Sequence, residues 1–173
     1  TLLMLDRTLP MDVNFVGVDD SHEMLVKCES KLREHQVKRK VELQCTDLHL
    51  GVDMKDASLA LMVLTLQFLR PLHRERLIAD VFKGLRENGG LILVEKVLGE
   101  DSHFNRLFIK HYYDFKRRNG YSETEIAQKR EALENVLIPY KLLENRELLL
   151  KSGFRYVDVF FKWYNFCGIV AIK

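Results

Sequence analysis

The sequence predicts an α/β fold: a mainly parallel sheet that closes with an antiparallel hairpin. Three observations carry this. Short apolar runs bounded by turn residues alternate with amphipathic helical patterns, which is the signature of parallel strands joined by helical crossovers. The run Ser58–Leu64 (SLALMVL) is nearly continuous in apolar residues, as expected of a strand covered on both faces. Near the end of the chain, Phe154–Lys162 and Tyr164–Ile172 read as two strands joined by a tight turn.

In chain order, Leu2, Leu3, Leu5 and Leu9 suit the end of a helix that Pro10 closes. Asn14–Val18 (NFVGV) reads as a buried strand running into Asp19-Asp20-Ser21. Asp20 or Ser21 then caps a helix, and Glu23 stands at capping-box spacing from Asp20. Met24, Leu25, Cys28 and Leu32 form that helix's apolar stripe, and Lys38-Arg39-Lys40 its charged exit. Val41, Leu43 and Cys45 alternate as a strand ending at Thr46-Asp47. Pro71 opens a helix with Leu77, Ile78, Val81, Phe82 and Leu85 on one face; Gly89-Gly90 is expected to end it, before a strand over Leu91–Val97. A further helix follows Pro139 and ends at Lys151-Ser152-Gly153.

The 173 residues suit a single domain, and 47% hydrophobic with 30% charged residues is a globular composition. A net charge of +2 gives no ground for direct nucleic-acid binding. No apolar run approaches the ~20 residues of a membrane span. Cys28, Cys45 and Cys167 are scattered, without metal-ligand spacing, and read as buried, reduced thiols of a cytoplasmic compartment. GxGxxG and GxSxG are both absent, which removes a complete dinucleotide fingerprint and a nucleophile elbow from these residues.

In a doubly wound sheet, ligands sit at the carboxyl ends of the strands. That rule selects Asp19 and Asp20, where a carboxylate offers two oxygens to the vicinal diol of a ribose, with helix capping as the competing role. It also selects Asp47 and Leu48, suited to an adenine: the acid takes the exocyclic amine and the apolar neighbour covers the ring. The stretch His111–Asn135 stands apart from scaffold, with three tyrosines, a basic run (Lys116, Arg117, Arg118), an Asn-Gly turn and a Ser122/Glu125 capping box. Helical periodicity puts Arg130 on the same face as Ile126, Leu133 and Leu137, with Lys129 at the margin. An Arg on an apolar stripe calls for an anionic partner, either an internal acid or a ligand carboxylate or phosphate. The basic run reads as surface or dimer contact, and His111 with Tyr112 and Tyr113 as helix packing.

TLQFL at Thr65–Leu69, DFKRRNGYSETEIAQKREALENV at Asp114–Val136 and the closing FKWYNFCGIVAIK closely resemble the carboxy-S-adenosyl-L-methionine synthases, over essentially the whole chain. The resemblance implies a class I methyltransferase-like (Rossmann-like) sheet with an antiparallel C-terminal strand and a helical insertion at about residues 100–137. It implies S-adenosyl-L-methionine as cofactor and prephenate as co-substrate, with carboxy-S-adenosyl-L-methionine and phenylpyruvate as products, in the service of wobble-uridine modification of tRNA. It implies a homodimer. It puts Asp19 and Asp20 on the ribose, Asp47 and Leu48 on the adenine, and Arg130 on the new carboxylate. Val63 stands where the family carries an Asn, so that hydrogen bond to the cofactor is lost. The family's N-terminal segment, with its first and central strand and the loop against the methionine moiety, has no counterpart in these residues, which leaves the cofactor pocket of the chain as written incomplete. Two other readings stay open: a methyltransferase using S-adenosylmethionine directly on tRNA or a small molecule, and a non-catalytic binding or dimerisation module. Arg130 separates the first of these from the synthase, because a plain methyltransferase has no new carboxylate to hold.

Overall fold

The computed structural model describes residues Thr1–Lys173, which form two compact units, Thr1–Leu50 and Gly51–Lys173.

In the first unit, α1 (Leu2–Thr8) precedes β1 (Phe15–Asp19), α2 (His22–Glu34) and β2 (Val41–Cys45), and β1 and β2 pair in parallel from Phe15↔Val41 to Asp19↔Cys45. Ser21 caps α2, its hydroxyl accepting the Met24 N–H, while Asp19 Oδ1 accepts the Ser21 N–H at 2.9 Å. The cap is therefore Ser21, and the Asp20–Glu23 box does not form: Asp20 lies outside the helix. Arg39 is not part of a solvated charge run. It is 6% exposed, and its guanidinium bonds Asp6 Oδ1 at 2.6 Å and the carbonyls of Asp6, Leu9, Pro10 and Val13, while lying 4.3 Å from the Phe15 ring centroid. One fork thus satisfies the orphan carbonyls at the end of α1 and fixes the chain leading into β1. Phe15 and Leu32 are the only buried apolar side chains of this unit.

The second unit contains β3 (Ala57–Val63), α3 (Pro71–Gly84), β4 (Leu85–Lys96), α4 (Ser102–Arg118), α5 (Glu123–Leu133), α6 (Leu142–Lys151), β5 (Tyr156–Trp163) and β6 (Phe166–Ile172). Its sheet runs β3-β4-β6-β5, with β3 parallel to β4 and β6 antiparallel to both β4 and β5. Leu77, Ile78 and Val81 of α3 and Leu149 of α6 are buried together with Leu91 and Leu93 of β4 and Ile169 and Ala171 of β6. Phe82 meets Phe154 edge-on at 5.2 Å. Gly153, which follows the Ser152 cap of α6, stands at φ 110°, a left-handed position that disfavours any Cβ.

Three expectations are corrected here. Helix α3 stops at Gly84, and Gly89-Gly90 lie inside β4. The strand begins early at Leu85, paired with Ala57, and an irregularity before Leu59↔Gly90, with Asn88 at φ 60°, absorbs the extra residues. Strand β3 is not a covered central strand. It bonds β4 on one edge, Met62 is buried, and Leu59, Leu61 and Val63 on the alternate face are 42%, 37% and 40% exposed. Cys167 alone of the three cysteines is buried; Cys28 is half-buried and Cys45 exposed, and all three are free thiols. Burial pushes the Cys167 thiol up to about 11, so it packs as an inert apolar group.

Candidate functional site

The parallel pairing of β1 with β2 brings the four acidic-end candidates of the first unit together. Asp19 stands opposite Cys45, the Thr46 N–H donates to the Asp19 carbonyl at 3.0 Å, and the Cys45 thiol reaches the Asp20 carbonyl at 3.6 Å. Asp19 is half-buried and Asp20 exposed; Asp19 gives only Oδ1 to the Ser21 N–H, and the Asp20 carboxylate has no partner. The pair therefore keeps carboxylate oxygens free to accept from the two hydroxyls of a vicinal diol, an acceptor set that a ribose suits. Asp47 Oδ1 accepts the His49 N–H at 2.8 Å and lies 2.9 Å from the His49 ring, which sets up the short turn of Leu48–Leu50 with Leu48 half-buried. A groove of about 500 Å³ in this unit runs along α2 and β2, between Leu25, Leu32, Val41 and Leu43, and none of the four candidates lines it.

In the second unit, the carboxyl end of β3 leads through Val63 into TLQFL, and this motif is tied down by side chains that sequence reading did not single out. Glu95, 1% exposed near the end of β4, accepts the N–H groups of Thr65 and Leu66 on Oε1 at 3.0 and 2.9 Å and that of Gln67 on Oε2 at 3.0 Å. Gln67 returns the contact, its side-chain oxygen accepting the Lys96 N–H at 3.0 Å. Arg74, 1% exposed, donates to the Leu69 carbonyl from Nε and Nη2 and to the Ile138 carbonyl from Nη2, and lies 4.1 Å from the Tyr140 centroid. Desolvation raises the Glu95 carboxyl to about 7 against the pull of its three backbone donors and of Arg74. A charged residue at the inward-facing position of an otherwise apolar strand (LILVEK) was the available signal for Glu95, because strand alternation sends it inside.

Val63 ends β3 and is exposed; its side chain has no polar atom, and its backbone carbonyl accepts the Thr65 hydroxyl at 3.3 Å. Arg130 does not turn inward. Of the face that periodicity assigned, Ile126 is buried and Leu133 and Leu137 are half-buried, while Arg130 is exposed and has no acidic partner. Helix α5 has a single buried residue, so its apolar stripe is too short to carry Arg130 under cover. An internal salt bridge for Arg130 is thereby set aside. The Ser122/Glu125 capping box forms as its spacing predicts. In the basic run, Arg117 pairs with Asp114 and Glu123, whereas Lys116 is half-buried, 5.0 Å from the Tyr112 centroid and 5.9 Å from that of Tyr121. His111 stacks on Tyr164 at 4.9 Å, a packing contact.

Solved structures place this architecture. An S-adenosylmethionine-dependent methyltransferase named SibL matches 99% of the chain with a TM-score of 0.68 at 13% identity, the chain spanning 46% of it. The YcgJ protein of Bacillus subtilis matches 99% of the chain with a TM-score of 0.71 at 14% identity, the chain spanning 86% of it. The fold is that of the class I S-adenosylmethionine-dependent methyltransferases. Sequence comparison narrows the class. The chain is 64% identical over its whole length to a carboxy-S-adenosyl-L-methionine synthase of Methylococcus capsulatus, of which it covers 72%, and 42% identical to one of Helicobacter pylori, of which it covers 70%. No family model matches. The chain belongs to the carboxy-S-adenosyl-L-methionine synthase family.

Proposed function

We propose that this chain acts as its relatives are named: it binds S-adenosyl-L-methionine and forms carboxy-S-adenosyl-L-methionine, with prephenate as carboxyl donor and phenylpyruvate and water as by-products, the water made from the leaving ring hydroxide and the proton lost by the cofactor's methyl group. The observation that supports it is 64% identity along the whole chain to a synthase of that name. The bound cofactor supplies a sulfonium that acidifies its own methyl group, the carbon that receives the carboxylate. The chain's residues orient that cofactor. Asp19 and Asp20 hold the ribose diol, and Asp47 and Leu48 the adenine. Arg130 grips the product carboxylate through its planar fork; its exposed, unpaired state leaves it available for this. Val63 supplies only apolar contact where an Asn would bond the cofactor.

The same reading gives one methyltransferase-like domain with the helical insertion at about 100–137, and takes α4 and α5 as that insertion. It also gives a homodimer, a cytoplasmic setting and a place in wobble-uridine modification of tRNA without direct contact to nucleic acid. No helix of the structure is long and apolar enough to cross a membrane.

The test is mass spectrometry of ligand released from the purified protein, followed by incubation with S-adenosyl-L-methionine and prephenate. Release or formation of the carboxylated cofactor is the expected result. S-adenosyl-L-methionine alone, with no carboxylated product after prephenate is added, would count against the reading and favour direct methyl transfer.

A further inference from the structure

At the carboxyl end of β4 two ammonium groups come to one aromatic ring, and no carboxylate pairs with either of them. Lys96 is the last residue of β4 and half-buried; its Nζ lies 5.4 Å from the Tyr112 ring centroid on α4. Lys116, one turn further along α4, lies 5.0 Å from the same ring. Neither ammonium has a hydrogen-bond acceptor or an ion-pair partner. Lys129 adds a third positive charge from α5, close enough to repel Lys116. Burial lowers the proton affinity of both Lys96 and Lys116, and the repulsion of Lys116 lowers that of Lys96 further. Half-buried like charges around one aromatic ring destabilise a fold unless something anionic joins them.

We propose that Lys96 and Lys116, set about the Tyr112 ring at the carboxyl end of β4, bind the carboxylate of a small organic acid. The position is where ligands of parallel α/β sheets sit. The tyrosine face suits an acid with a ring beside its carboxylate, and the two ammoniums suit a dianion. The assignment of prephenate as that acid rests on the reaction proposed above; the anion site itself does not.

Trp163 is the chain's single tryptophan, and its ring lies 5.1 Å from that of Phe115 on α4 and 6.0 Å from that of Phe166, the residue paired with Lys96. Its fluorescence therefore reports on this end of the sheet. Titration of the purified protein with prephenate and, separately, with malonate should change the emission saturably. Lys96→Met and Lys116→Met should each raise the half-saturating concentration at least tenfold, and Lys83→Met, on α3, should not. Thermal unfolding should show Tm unchanged or raised in the two variants, because one of two like charges has been removed. Unchanged half-saturation in both variants, no binding of either anion, or a lowered Tm in either variant would overturn the site. Malonate binding that needs both lysines, with no carboxylated product from prephenate, upholds the site and removes the reaction. Carboxylated product formed at an undiminished rate by the double variant upholds the reaction and removes the site.

Discussion

Glu95 shows how much a single buried carboxyl does here. It is the anchor of TLQFL, holding three consecutive N–H groups that no helix or strand satisfies. Its folded pKa of about 7 lies above the usual 4.5. Between those two values the folded state binds more protons than the unfolded chain, so this contribution is fully present below about 4.5 and is lost as pH rises through about 7. Urea unfolding at pH 5 and at pH 8 should show lower stability at the higher pH. Glu95→Gln should flatten that difference, by an amount of order 3 kcal/mol, because the amide that replaces the carboxyl does not ionise. A pH response unchanged by the substitution would show that Glu95 does not set it. Arg130 is the opposite case, exposed and without a partner. Arg130→Ala should leave stability within about 0.5 kcal/mol and weaken carboxy-S-adenosyl-L-methionine much more than S-adenosyl-L-methionine, by roughly 1.5–3 kcal/mol for a lost charge-assisted bidentate contact. Equal losses by calorimetry for both ligands would refute its role at the carboxylate.

Among the elements, β3 departs most from expectation. Its composition is that of a strand buried on both faces, yet its free edge and the face of Leu59, Leu61 and Val63 are open. An exposed apolar strand edge is a template for pairing with other chains. The purified chain should therefore self-associate in a concentration-dependent way by light scattering. Leu61→Lys should reduce this without loss of secondary structure, since the side chain it replaces is already 37% exposed. Helix α5, by contrast, behaves as its local residues dictate: a capping box starts it, and the charges along it stay in water. Its capping is a local hydrogen-bond matter and was legible from Ser122 and Glu125; the depth of Arg130 was not, because depth depends on what packs against the helix rather than on period.

For the whole molecule, the two units differ in what they bury. Thr1–Leu50 has Phe15, Leu32 and the Arg39 fork as its buried side chains, whereas Gly51–Lys173 has an apolar core drawn from α3, α6 and the sheet. Amide hydrogen exchange should therefore give lower protection in β1 and β2 than in β4 and β6. Equal protection in the two sheets would contradict this ranking.

What could be read along the chain was whatever short spacing governs. The alternation of strands and helices, the closing hairpin, the cap of α5 and the acidic strand ends all follow from contacts within a few residues, or from patterns with a fixed period. The motifs were enough to point to the synthase family. Other features needed the fold, because they join residues far apart in sequence. Glu95 reaches back to Thr65, Arg39 to Asp6, and Arg74 forward to Ile138. Lys96 and Lys116 come to one Tyr112 ring although the first is on β4 and the other two are on α4. Burial has the same origin: the period of a helix or strand says which side chains share a face, and only the packed neighbours say whether that face is covered, which is why Arg39 went inside and Arg130 and Leu61 did not.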